Sequence, residues 1–85
     1  ATSLQSTRQA QTVGIPLLDD NQIVTLDLTV DGADEIDPHK NMIKGGGGAL
    51  LREKILAKSS HEMVFIVDET KLVDHLGSFP VPVEI

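Results

Sequence analysis

Glu53 is the best candidate for proton transfer in this sequence, because its neighbours at helical spacing are all apolar. The residues three and four positions away on the same helix face are Ala49, Leu50, Leu56 and Ala57. A surface glutamate often has an oppositely charged partner at such a position, and Glu53 has none, so we expect it to face inward. Removal from water destabilises a charged carboxylate and helps it to take and return a proton near neutral pH. The alternative is a half-exposed glutamate on a marginal helix.

Lys44 stands directly before four consecutive glycines, and good helix formers follow the run. A glycine-rich turn at the start of a helix exposes backbone N–H groups that could hold an oxyanion, here those of Gly45, Gly46 and Gly47. The turn is not a P-loop, because the lysine precedes the glycines, and it lacks the spaced glycines of the dinucleotide fingerprint. A tight or flexible connection is the alternative, although four glycines cost backbone entropy that a simple connection would not require.

Four carboxylates fall within seven residues just after a predicted strand, namely Asp31, Asp34, Glu35 and Asp37. In open α/β sheets, ligands bind at the carboxyl ends of the strands. The alternative is a solvated acidic turn. The three aspartates recur every third residue, which does not match a calcium-binding EF-hand, so we predict no metal site.

The elements that would position these side chains form a strand–helix–strand unit. Alternating apolar residues predict a strand that ends at Asp31, followed by a polar loop over residues 31–40. A helix is predicted over residues 49–58, and the apolar run 63–67 is typical of a strand covered on both faces in a parallel sheet. Lys71 follows that strand, where ligands are met, although a lone lysine is most often a solvated charge. The fold class is therefore α/β.

Three further elements are predicted at the flanks. A helix over residues 4–13 ends with Gly14 in the left-handed conformation. Thr70 is expected to cap a last helical turn that ends at Gly77. Alternating apolar residues predict a strand over residues 81–85, and since the chain stops inside it we expect a portion of a longer protein.

Composition excludes several classes of function. Apolar residues make up 40% and charged residues 24% of the 85 residues, which indicates an ordered globular chain. The formal net charge of −6 and the near absence of aromatic rings argue against nucleic acid and anionic membranes as partners. The absence of cysteine suits a reducing cytosol.

Three stretches of the sequence, in this order and at these separations, resemble type A ribose-5-phosphate isomerases. They are VDGADEID at residues 30–37, IKGGGGALLREK at 43–54 and FPVPVEI at 79–85. The resemblance spans essentially the whole chain, although chains of that family are much longer. It implies a Rossmann-like, mostly parallel sheet flanked by helices, of which residues 1–85 are a partial catalytic domain.

The resemblance also implies interconversion of ribose 5-phosphate and ribulose 5-phosphate through a cis-enediolate. Glu53 matches the family's base, and Lys44 with the glycine amides would stabilise the developing oxyanion. Asp31 and Asp34 match two aspartates expected to bind sugar hydroxyls and assist ring opening. Lys71 matches a lysine near the substrate phosphate.

Further expectations follow from the resemblance: no metal or organic cofactor, a sugar phosphate as small-molecule partner, a cytoplasmic homodimer or homotetramer, and no nucleic acid or membrane partner. The family's upstream Gly-Thr-Gly-Ser-Thr turn, which cradles the phosphate, and its carboxyl-terminal α+β domain have no counterpart here. We therefore expect little or no turnover from these 85 residues alone. Two alternatives are a non-catalytic sugar-phosphate-sensing domain of the same fold and an acidic interaction module.

Overall fold

The computed structural model describes residues 1–19 and 25–85 of the chain. In this part it contains two α-helices, four short strands and a single 3-10 turn. In chain order these are α1 (Leu4–Thr12), β1 (Leu26–Asp31), β2 (Glu35–Ile36), β3 (Met42–Ile43), α2 (Leu50–Lys58), β4 (Ser60–Phe65) and the 3-10 turn (Glu69–Lys71).

β1 and β4 lie side by side as a parallel pair, with α2 between them in the chain. The register places Asp31, the last residue of β1, opposite Phe65, the last residue of β4. Beyond both strands, the amide of Ile66 donates a hydrogen bond of 2.8 Å to the carbonyl of Asp31. The predicted α/β class and the strand–helix–strand unit are confirmed, and β4 begins earlier than predicted, at Ser60.

β2 lies within the segment that the sequence predicted as a polar loop over residues 31–40, and it pairs antiparallel with β3 just beyond that segment, so the prediction was wrong in part. The connection between the two strands is built around the Asp37 carboxylate. Its Oδ1 accepts the amides of His39 at 3.0 Å and Asn41 at 2.8 Å, and its Oδ2 accepts the Asn41 side-chain amide at 3.0 Å. These hydrogen bonds, that of the Asn41 side chain first, hold the pKa of Asp37 below its usual value.

Both helices lie close to their predicted positions. α1 ends at Thr12, one residue earlier than predicted, and Gly14 follows with the expected left-handed φ of 76°. The Ser3 hydroxyl caps α1 by accepting the amide of Ser6 at 3.1 Å. α2 ends at Lys58 as predicted, but the residue at its N-cap, Ala49, makes no side-chain capping hydrogen bond.

The structure corrects two predictions in the last part of the chain. The residue that caps the turn after β4 is Asp68, not Thr70, since its carboxylate accepts the amide and the hydroxyl of Thr70. That turn ends at Lys71 rather than at Gly77. Residues 81–85 form no strand with any described part of the chain. An alternating apolar pattern needs a neighbouring strand to pair with, and this segment instead lies across the start of α2.

α2 covers one face of the parallel pair, and the other face is open. Leu28 and Val30 of β1 are 50% and 54% exposed. Val64 of β4 is 42% exposed, which contradicts the prediction that this second strand is covered on both faces. The described residues provide a helix for one face of the pair only. Ile43 is the one buried apolar residue in residues 1–19 and 25–85. None of the helices described has the length and apolar composition needed to cross a membrane.

Candidate active site

The ammonium group of Lys44 lies between two carboxylates. Its Nζ is 3.0 Å from Oδ2 of Asp31 and 3.2 Å from Oε2 of Glu53, and it also donates a hydrogen bond to the carbonyl oxygen of Gly32. All three charged side chains are largely sheltered, with 16–18% of their surface exposed. Ion pairs shielded from water in this way are stronger than exposed ones, so the three groups hold one another in place.

Each member of this cluster is supplied by a different element. Asp31 ends β1, Lys44 follows β3 directly, and Glu53 lies in the first turn of α2. The ring of Phe65, at the end of β4, lies with its centroid 5.7 Å from Nζ of Lys44, within the range of a cation–π contact. The cluster therefore forms where the carboxyl ends of both parallel strands meet the start of the helix.

Glu53 faces inward as its apolar helix neighbours predicted, but it has a charged partner. That partner is Lys44, nine residues earlier in the chain and outside the helix, so spacing along the helix could not reveal it. Glu53 and Lys44 were both predicted as site residues, and in the structure they are in contact.

A hydrogen bond to Asp34 connects the glycine turn, residues 45–48, with the acidic segment after β1. The amide of Gly46 donates a hydrogen bond of 2.8 Å to Oδ2 of Asp34. A methyl group on Gly46 would lie 2.6 Å from Oδ1 of Asp34 and 2.8 Å from Cζ of Phe79, closer than real Cβ atoms approach. Glycine at this position allows the carboxylate and the ring to approach the backbone closely, and any larger residue would require these side chains to shift.

At two of the other positions in the turn, the backbone conformation itself favours glycine. Gly45 and Gly48 have φ angles of 99° and 80°, which favour glycine, and the Gly48 amide donates a hydrogen bond of 3.0 Å to the carbonyl of Gly45. Gly47 has neither constraint: a methyl group there would touch nothing within 4 Å, and its amide has no hydrogen bond in the described part of the chain. Of the three predicted amide donors, that of Gly46 is therefore already engaged, whereas those of Gly45 and Gly47 donate no hydrogen bond to the described residues.

The charged side chains and the glycine turn line one cavity of about 320 Å³. It is lined by the two aspartates, the lysine and the glutamate, namely Asp31, Asp34, Lys44 and Glu53, with the backbone of residues 32–33 and 45–47. A larger cleft of about 770 Å³ shares Asp31 and Glu53 with this cavity and reaches the first residues of α1. The size of the cavity suits a small ligand.

Lys71 is the predicted site residue that does not line this cavity. It ends the 3-10 turn, where it is partly buried and its charge contributes to lowering the pKa of Asp68, after the hydrogen bonds from Thr70. Lys71 is therefore not part of the cavity lining that Lys44 shares with Asp31, Asp34 and Glu53.

Two side-chain contacts in this part of the fold were not predicted from the sequence. Phe65 lies in the apolar run 63–67, and its contact with Lys44 follows from the pairing of β1 with β4. Glu35 was grouped with the acidic cluster, yet it is only 4% exposed and accepts the amide of Gly77 at 2.9 Å. Neither contact has a local signal in the sequence. Within residues 1–19 and 25–85, no three His, Cys, Asp or Glu side chains gather in a way that could hold a metal ion.

The fold and the cluster define an α/β protein that gathers charged side chains at the carboxyl ends of parallel strands, where such proteins bind their ligands. The chain belongs to the ribose 5-phosphate isomerase A family, also called phosphoriboisomerase A, whose model matches residues 1–85. This confirms the resemblance of the three sequence motifs.

Individual relatives agree with the family. Ribose-5-phosphate isomerase A of Protochlamydia amoebophila is 65% identical over 85 residues, which are 100% of this chain and 37% of that protein. The crystal structure of ribose 5 phosphate isomerase A from Neisseria gonorrhoeae matches with a TM-score of 0.87 and 46% identity, over 93% of this chain and 35% of the other. A D-ribose-5-phosphate isomerase solved in complex with phospho-erythronic acid matches with a TM-score of 0.82 and 45% identity, over 88% and 33%. The chain therefore spans about a third of the length of these relatives.

Proposed function

We propose that the whole protein is an aldose–ketose isomerase that interconverts ribose 5-phosphate and ribulose 5-phosphate, with Glu53 as the base. The single observation that carries this proposal is the position of the Glu53 carboxylate, sheltered in the cavity and 3.2 Å from the Lys44 ammonium. A base and a cation side by side are what the reaction requires, because a proton leaves carbon while negative charge develops on the neighbouring oxygen.

The chemistry balances with these two groups alone. Glu53 takes the proton from C2 of the open-chain aldose, and the electrons of that bond form the C1–C2 double bond and place negative charge on O1. Lys44 stabilises this enediolate. The proton on O2 then passes to O1, C2 becomes the carbonyl, and Glu53 returns its proton to C1. No electron is gained or lost overall, so the residues of the cavity suffice for the step.

The aspartates are proposed to handle the sugar hydroxyls and the opening of the furanose ring. Both carboxylate oxygens of Asp31 are engaged, one by Lys44 and one by the amide of Gly32 at 2.8 Å. Asp34 uses only Oδ2, for Gly46, and its Oδ1 accepts no hydrogen bond from the described residues. We therefore assign to Asp34 Oδ1 the contact with a sugar hydroxyl, and to Asp31 the orientation of Lys44.

A sugar phosphate as substrate is supported by the solved relative in complex with phospho-erythronic acid, whose name describes a phosphorylated sugar acid. Lys71 remains our proposal for a contact with the phosphate, outside the cavity. The proposal also includes a homo-oligomer in the cytoplasm. It includes no nucleic acid or membrane partner, because the net charge of −6 disfavours anionic partners.

Substitution Glu53→Gln in the whole protein tests the function. We expect kcat to fall by about 10²–10⁴-fold, the usual contribution of a general base, while the affinity for a phosphorylated four-carbon sugar acid changes little. Glu62→Gln is the matched control, because Glu62 is an exposed glutamate of β4. A Glu53→Gln protein with the kcat of the control would contradict the proposed role. An unsubstituted protein that binds the sugar phosphate without converting it would instead support a sensing domain.

A further inference from the structure

Residues 79–84 lie across the glycine turn and the first turn of α2. The Phe79 ring lies against Gly46, where a methyl group would be 2.8 Å from Cζ, and Pro82 lies against Gly45, where a methyl group would be 3.3 Å from its Cβ. At the end of this segment, Oε2 of Glu84 accepts a hydrogen bond of 2.8 Å from the amide of Leu51. The segment therefore contacts the elements that carry the site at three successive points.

The hydrogen bond to Glu84 satisfies a backbone amide for which α2 itself has no acceptor. The first amides of any helix have no acceptor within the helix, and a side-chain oxygen at the N-cap usually supplies one. In α2 the N-cap residue is Ala49, which has no such oxygen, and its φ of −122° and ψ of 19° depart from the extended conformation of ordinary caps. Glu84 supplies the acceptor from 33 residues away, and its negative charge also suits the positive end of the helix.

The turn that Glu84 caps is the turn that carries Glu53. Leu51 precedes Glu53 by two residues, and the amide of Glu53 donates to the carbonyl of Ala49 at 3.0 Å, within the same turn. If this turn frayed, the Glu53 carboxylate would no longer be held 3.2 Å from Nζ of Lys44. A displacement of about 1 Å at a reacting group can cost on the order of 100-fold in rate.

We propose that Glu84 is a positioning residue: it caps α2 from outside the helix and thereby holds Glu53 against Lys44. The inference rests on the proposed isomerase function and deepens it. It gives a function to Glu84, the glutamate of the FPVPVEI motif. This residue lines neither the cavity nor the cleft. Glu84 acts through the backbone of α2 and needs no contact with the substrate.

The test compares Glu84→Ala and Glu84→Gln in the whole protein, with Glu62→Ala as the control at an exposed glutamate of β4. Glu84→Ala removes the acceptor, whereas Glu84→Gln keeps an acceptor oxygen without the charge. We expect kcat to fall by roughly 10-fold in Glu84→Ala, with KM within about twofold, and most of the loss to be restored in Glu84→Gln. The Leu51 amide should exchange with deuterium several-fold faster in Glu84→Ala alone, as measured by NMR.

The outcomes separate the inference from the function on which it rests. Absence of turnover in the unsubstituted protein would overturn both. An active unsubstituted protein, with Glu84→Ala equal to the control in kcat or in Leu51 exchange, would overturn only the role of Glu84. Restoration of kcat by Gln would exclude a purely structural role, which predicts a lower unfolding temperature with unchanged kcat per folded molecule. A Glu84→Gln protein as slow as Glu84→Ala would overturn capping by a hydrogen bond.

Discussion

The amide of Gly46 is bound to the carboxylate of Asp34 by a hydrogen bond of 2.8 Å, which joins the glycine turn to the acidic segment after β1. Lys44 lies two residues before this contact and α2 begins four residues after it. The bond thus fixes the distance between the strand that provides Asp31 and the helix that provides Glu53. The geometry of the cluster depends on this connection as much as on the ion pairs.

Gly46→Ala should therefore damage both stability and activity. The added methyl group would lie 2.6 Å from Oδ1 of Asp34 and 2.8 Å from Cζ of Phe79, so one of them must move. We expect a loss of about 1–3 kcal/mol in the free energy of unfolding, as for other overpacked sites. Urea denaturation and kcat of the whole protein measure the two effects. Gly47→Ala, whose methyl group meets nothing within 4 Å, is the control for stability. Equal stability of the two variants would contradict the close packing described here.

Lys44→Met should leave two carboxylates facing each other without a cation. Asp31 and Glu53 both lie within 3.2 Å of Nζ, so their repulsion would disorder the cluster, and the enediolate would lose its stabilising charge. We expect kcat to fall by about 10²–10³-fold, as when other oxyanion donors are removed. Lys54→Met is the control, since Lys54 is an exposed lysine next to Glu53 on α2. A Lys44→Met protein as active as this control would contradict a role for the ammonium.

Glu35→Ala should destabilise the protein without touching the cavity. Glu35 is only 4% exposed and accepts the Gly77 amide at 2.9 Å, so its removal takes a hydrogen-bond acceptor from Gly77 and a buried side chain from the protein. We expect a loss of about 1–3 kcal/mol in the free energy of unfolding. Glu35→Gln, which keeps an acceptor oxygen, should lose less. Similar losses in the two variants would show that the hydrogen bond is not the cause.

The Asp37 carboxylate should titrate below its usual range, because the Asn41 side chain and two backbone amides hydrogen-bond its charged form. Since its pKa is lower in the folded protein than in the unfolded chain, the stability it contributes is present above the unfolded pKa and is lost as pH falls through the folded pKa. Asn41→Ala should raise the pKa of Asp37 toward its ordinary value, as followed by NMR of the carboxyl carbon. Asp68, whose pKa is lowered by Thr70, should not respond and serves as the internal control. An unchanged Asp37 pKa would contradict this account.

The parts of the site that depend on neighbours in the sequence could be predicted. Helical spacing around Glu53 predicted that it faces inward, and the position of Asp31 at the end of a strand placed it at the ligand-binding edge. The four glycines predicted a turn before a helix, and φ angles of 99° and 80° at Gly45 and Gly48 agree with it. In each case the information lies within a few residues of the feature.

The parts that depend on contacts across the fold could not be predicted. The contact of Glu84 with Leu51 spans 33 residues, and nothing near either residue indicates it. Residues 81–85 were wrongly predicted as a strand from their alternating apolar residues. Such a pattern forms a strand only where a neighbouring strand offers free backbone groups to pair with. Thr70 was predicted as the capping residue in place of Asp68, because both residue types cap helices. Only the direction of the hydrogen bond, from the Thr70 amide to the Asp68 carboxylate, distinguishes them.

The cavity is lined by one ammonium, that of Lys44, and by three carboxylates, those of Asp31, Asp34 and Glu53, so this end of the site has an excess of negative charge. A phosphate group would be repelled by this excess charge, whereas an uncharged carbonyl would not be. The cavity would then sort the two ends of a linear sugar phosphate by charge alone. It would admit the molecule with the aldehyde first and keep the phosphoryl group toward the outside, before any shape-specific contact forms.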